Sequence, residues 1–141
     1  MEWTYDKEKL AESYLTVGEN YHYGEDQNLF LAFACYQKAA ELGNAKAAIV
    51  LSEYYRAKGE YDEELKWLEK VNEETELPPE KAYRLGRFYQ FGWVAAMMDW
   101  EKAHDLYEEA SSGGNKHAQK TLKFWPLHKM GCIYRAVFEN D

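Results

Sequence analysis

Three short patterns recur along this chain at a fixed distance. Val17-Gly18 is followed by Tyr21, Leu51-Ser52 by Tyr55, and Leu85-Gly86 by Tyr89. The apolar positions 17, 51 and 85 are 34 residues apart, and so are the three tyrosines. The clearest unit, YRLGRFYQFGWVAAMMDWEKAHDLYEEASSGGNKHA from Tyr83 to Ala118, holds two helical patterns joined by a loop. A period in the thirties carrying helix–turn–helix patterning is the signature of an α-solenoid, in which each pair buries its apolar face against the next. The expectation is therefore all-α: a right-handed α-solenoid of about three helix pairs plus a C-terminal capping segment. The whole of 1–141 reads as a single repeat domain, with repeats at about 7–44, 45–78 and 79–115 and a cap over 116–141.

Punctuation along the chain supports seven helices. Asp6 is a candidate N-cap for a first helix in which Leu10, Tyr14, Val17 and Tyr21 recur at helical spacing, and Gly24 stops it. A second helix runs from about Asn28 to Leu42, with Phe30, Phe33, Ala34, Tyr36 and Ala40 as its apolar positions. Gly43-Asn44 closes it, where a left-handed glycine belongs. A third covers Ala45–Ala57 and a fourth Tyr61 to about Glu73, its outer face strongly acidic with Glu63, Glu64 and Glu69. Leu77-Pro78-Pro79 makes a sharp connection, and Pro79 suits the first turn of a fifth helix ending at Phe91. The sixth starts near the N-cap Asp99, and Gly114-Asn115 repeats the earlier stop. A seventh spans Lys116–Phe124, ahead of Pro126 and a tail read as a short capping helix.

Composition narrows function by exclusion. The chain is 46% hydrophobic and 16% aromatic, too rich in core-forming residues for a disordered segment. Its net charge of −8 serves solubility or a basic partner, and it argues against nucleic acid, which needs clustered Lys and Arg. Cys35 and Cys132 match no metal or redox spacing, so no cofactor is expected. No apolar run reaches the length of a membrane span, and the first twenty residues lack the order of a signal peptide. A cytoplasmic location and no membrane partner are expected. The four histidines are scattered, with no zinc, serine-elbow or phosphate-loop motif, so catalysis and metal binding have no constellation to rest on.

The repeats resemble those of Sel1-like repeat proteins, relatives of tetratricopeptide repeats. The third unit keeps Leu85, Gly86, Tyr89, Gly92, Asp99, Lys102, Ala103, Tyr107, Ala110, Gly114 and Ala118 of that pattern. The first keeps Gly18, Tyr21, Gly24, Ala32, Tyr36, Lys38, Ala39, Ala40, Gly43 and Ala47. The middle unit departs, with Ser52 in place of glycine and a shorter loop, and reads more like an ordinary tetratricopeptide unit. The resemblance implies a binding scaffold. Gly18 and Gly86 are expected to sit under a neighbouring ring, with Tyr21, Tyr55 and Tyr89 as the source of rings.

In a solenoid built this way the first helix of each pair lines the concave surface. Side chains on it that packing does not use are the candidates for holding a protein or peptide. By period they are Glu12, Leu15, Glu19, His22 and Tyr23, then Lys46, Ile49, Glu53 and Arg56, then Tyr83, Arg87, Gln90 and Phe91. Tyr and Arg are favoured hot-spot types. The loop from Gly92 to Asp99 offers Trp93, Met97 and Met98 either as residues tucked under the repeat or as an exposed contact patch. The functional expectation is a non-catalytic interaction module. The alternatives are an immunity-type inhibitor of a basic toxin and, third, a hydrolase using surface carboxylates.

Overall fold

The computed structural model describes residues 2–94 and 96–125, with the backbone alone for 2–5. Among them every regular element is a helix: α1 Glu2–Tyr23, α2 Leu29–Glu41, α3 Ala45–Lys58, α4 Tyr61–Glu74, α5 Pro79–Phe91, α6 Trp100–Ser112 and α7 Lys116–Lys123. Of the expected capping segment 116–141, residues 126–141, Cys132 among them, lie outside the described residues. The first helix starts four residues ahead of the expected cap. Residues 2–5 contain no Gly or Pro to stop it, and Glu2 suits the positive end of the helix dipole.

The chain divides into two compact units, Met1–Glu76 and Leu77–Asp141, at the Leu77-Pro78-Pro79 connection. In the first unit α1 packs on α2, α2 on α3 and α3 on α4. In the second α5 packs on α6 and α6 on α7.

The same local grammar is used in both units. Asn44 and Asn115 cap α3 and α7 by accepting from the backbone N–H three residues on, at 2.9 and 2.8 Å. Just before them Gly43 and Gly114 take φ of +98° and +95°. The Asn44 and Asn115 amides then donate back to Ala39 O and Ala110 O, at 3.0 and 2.9 Å. A left-handed residue is needed for that reversal, which is why glycine stands there twice.

The second helices share one register. Counted from the residue ahead of each helix, the fourth, eighth and eleventh positions are buried in all three: Ala32, Tyr36 and Ala39; Glu64, Leu68 and Val71; Ala103, Tyr107 and Ala110. The rings that meet the small first-helix residues come from this register and not from Tyr21, Tyr55 and Tyr89. A Cβ built on Gly18 would lie 2.9 Å from the Tyr36 ring, and one on Gly86 only 2.7 Å from Tyr107. The reason is geometric, since the second helix crosses directly over the glycine and lays its own ring on it. In the middle pair the ring is absent, because Leu68 takes the position, and Ser52 is tolerated in place of glycine.

This register also corrects two expectations. Phe30 is 83% exposed, because it lies two residues, about 200° around the helix, from the buried Ala32. Glu64 does not face outward: it is 2% exposed, at the position where the other two pairs bury alanine.

Candidate functional site

In the first unit the expected residues do gather on the first helices. Glu12 and Tyr23 are exposed on α1, with Leu15, Glu19 and His22 half-buried beside them. On α3, Lys46, Glu53 and Arg56 are exposed and Ile49 is half-buried. Lys46 Nζ reaches Glu19 Oε1 at 3.0 Å, tying the two helices together across their outer surface. So exposed a pair contributes only about 0–1 kcal/mol. Its use here is in fixing which charges stand side by side.

An aromatic row crosses the same unit. The His22 ring stacks on Tyr23 at 4.0 Å and approaches Phe33 at 5.6 Å. Phe33 in turn stacks on Tyr54 at 4.0 Å. His22 Nδ1 is hydrogen-bonded to the Tyr36 hydroxyl at 3.1 Å, so its orientation is fixed from the core side. Burial, with smaller contributions from Tyr23, Glu19 and Cys35, pushes the Tyr36 phenol up to about 12, so it stays protonated in that bond. Phe33 and Tyr54 were not among the sequence candidates. Their signal was present: each adjoins a repeat residue (Ala32, Tyr55) and so sits at the edge of the buried stripe. Cys35 is half-buried and burial pushes its thiol up, which disfavours a reactive thiolate.

In the second unit the organising side chain is Arg87. Its guanidinium lies 5.0 Å from the Trp93 ring, 5.8 Å from Phe91 and 5.9 Å from Tyr83. Trp93 stacks on Phe91 and meets Phe88 edge-on. Arg84 lies over Phe88 and over the same Trp93, at 5.2 and 5.3 Å. Tyr83 is braced from behind by Tyr107 and His117. Gln90, expected on this surface, is instead buried at 3% exposure, and its Oε1 accepts the Tyr107 hydroxyl proton. Burial also pushes the Tyr107 phenol well up. The reason is position: Tyr107 crosses α5 over Gly86, and Gln90 lies one turn further along the same stripe.

The loop after α5 divides between its two possible fates. Trp93 tucks against α5, half-buried. Met97 and Met98 stay exposed, Met97 at 84%, and Val94 is exposed with φ of +56°. A β-branched residue in the left-handed region is a true outlier. The one triad of candidate metal ligands among the described residues is His104, Asp105 and Glu108 on α6. All three belong to one helix surface, its two carboxylates are exposed, and such acidic groupings are common without an ion.

No protein-family model matches the chain, and no curated protein matches it. Among solved structures the chain is similar to the crystal structure of a Sel1 repeat protein from Oxalobacter formigenes. The two are 27% identical, and the match covers 89% of this chain and 100% of the other, with a TM-score of 0.67. The chain thus shares the fold of a Sel1 repeat protein over most of its length. Its fold is all-α and solenoid-like. The Sel1-like pattern accounts for the buried register of the second helices and the glycines beneath their rings. It does not account for the exposed first-helix residues Glu12, Tyr23, Arg56 and Phe91. No helix among the described residues is long and apolar enough to cross a membrane.

Proposed function

We propose that this protein is a non-catalytic interaction module that holds a protein or peptide on its first-helix faces. The single observation that carries this reading is the gathering of charged and aromatic side chains on the first helices: Glu19, Tyr23, Lys46 and Glu53 in the first unit and Tyr83, Arg87 and Phe91 in the second, all exposed or half-buried. The similarity to a Sel1 repeat protein supports an interaction role in general.

A photo-reactive residue placed at Tyr23 or Phe91 should crosslink to a partner in the native cell. The same residue at Lys38 or Glu109, exposed on second helices, should not. Crosslinks arising mainly from the second-helix positions would overturn the assignment.

A second reading is an immunity-type inhibitor of a basic protein, and one observation favours it. Residues 1–76 hold seventeen acidic against eight basic residues, whereas 77–141 hold eight against nine. All of the excess negative charge is thus in the first unit, where it would steer a basic partner electrostatically. A single tight basic partner recovered through Tyr23 crosslinks would favour inhibition. Several peptides with a shared motif would favour an adaptor.

A further inference from the structure

We propose that the second unit recognises an acidic-apolar peptide segment, with Arg87 receiving an Asp or Glu carboxylate and the Phe91–Met97–Met98 surface receiving the apolar side chains beside it. The proposal rests on the reading of the first-helix faces as binding surfaces and adds the chemistry of the partner.

Three observations converge on it. First, Arg87 is surrounded by rings but not neutralised. Its guanidinium is set among the rings of Trp93, Phe91 and Tyr83, and among the described residues no carboxylate lies within ion-pair distance of it. Contact with rings engages the face of a guanidinium and does not consume its N–H donors, whose fork matches a carboxylate.

Second, apolar surface adjoins that cation. Phe91 stacks on the same Trp93 that supports Arg87. A Cβ on Gly92 would lie 3.5 Å from Met98, which brings Met98 next to the end of α5, with Met97 its chain neighbour. Met97 and Met98 are more than half exposed, and methionine adapts its shape to varied apolar partners. Third, the loop that presents them carries Val94 in the left-handed region while leaving its side chain exposed. Strain without a packing return is found where a loop is shaped for contact.

A guanidinium on an aromatic bed could equally meet a phosphate. The methionines decide the choice, since a nucleic-acid backbone has nothing to cover them. The local balance also differs from the acidic first unit, so an acidic segment meets no excess of negative charge here.

The test is selection of peptides from a random twelve-residue phage library on the whole chain, followed by fluorescence titration of the selected peptides. The proposal expects sequences with Asp or Glu adjacent to aliphatic or aromatic residues. Arg87→Gln should weaken them about tenfold or more, Arg87→Lys less, and Met97→Ser about two- to fivefold. Because Met97 is almost fully exposed, its replacement leaves the fold intact and keeps the result readable if Arg87→Gln is unstable. Peptides without acidic enrichment, or binding indifferent to both Arg87→Gln and Met97→Ser, overturn the proposal. If such peptides are instead lost on changing Tyr23 and Glu53, the first-helix reading stands and this partner chemistry fails. If selected peptides crosslink only to second-helix positions, or none is selected, both fail. Labelled oligothymidylate that binds through Arg87 more tightly than any selected peptide would replace the acidic peptide by nucleic acid.

Discussion

Gly86 faces a ring that cannot move away. Its missing Cβ would lie 2.7 Å from Tyr107 Cε1, where ordinary contact begins near 3.4 Å, so about 0.7 Å of displacement is required. Tyr107 is fully buried and its hydroxyl is held by Gln90, which blocks a simple swing of the ring. Gly86→Ala gains up to about 1 kcal/mol in helix propensity. Overpacking costs about 1–3 kcal/mol, so the net prediction is a loss of up to roughly 2 kcal/mol. The middle pair supplies the control, because there Ser52 accompanies Leu68. Gly86→Ala in a Tyr107→Leu background should therefore be neutral or stabilising, giving a coupling of about 1–3 kcal/mol. Urea unfolding reads this directly, since 1 kcal/mol moves the midpoint by about 0.5 M at an m-value of about 2 kcal/mol/M. Equal effects of Gly86→Ala in the two backgrounds would refute the close-crossing argument.

Three further outcomes are expected. Val94→Gly should stabilise by about 0.5–1 kcal/mol, the left-handed penalty of about 1–2 kcal/mol less the entropy cost of glycine, and destabilisation in the same urea assay would count against strain at that site. Tyr36 has a folded pKa raised to about 12 against about 10 when unfolded, so its contribution is complete below pH 10 and is lost as pH rises through 12. Tyr36→Phe should flatten the fall in unfolding midpoint across that window, and an identical slope would contradict the assignment. Reversing Glu73 and Glu74, exposed on α4, should mostly slow association with a basic partner and lose its effect at high salt, whereas reversing Glu19 and Glu53 should speed dissociation. Equal rates for all four reversals in surface plasmon resonance would leave the acidity to solubility alone.

The period of 34 residues, the Gly-Asn stops and the N-caps made the helices legible, because each rests on local backbone chemistry read directly from residue type. Which ring met which glycine was not legible, since Tyr36 and Tyr107 reach Gly18 and Gly86 from another helix and nothing in the spacing reveals a crossing point. Glu64 and Gln90 were misplaced for the same reason. Polar residues at buried register positions look like surface until the register is counted from the neighbouring helix. Arg87 was legible as a candidate, but its setting among Tyr83, Phe91 and Trp93 depends on a loop folding back along α5. The acidic face of α4 was misleading in part, because charge runs record composition and not direction.

The central claim is that partners meet the first helices, and amide chemical-shift mapping on the labelled chain tests it most directly. On titration with a bound partner or selected peptide, the largest shifts should fall in 19–23, 53–56 and 83–91, with Arg87 among them. Shifts concentrated instead on the outer faces of α2, α4 and α6, with 83–91 unmoved, would contradict the account.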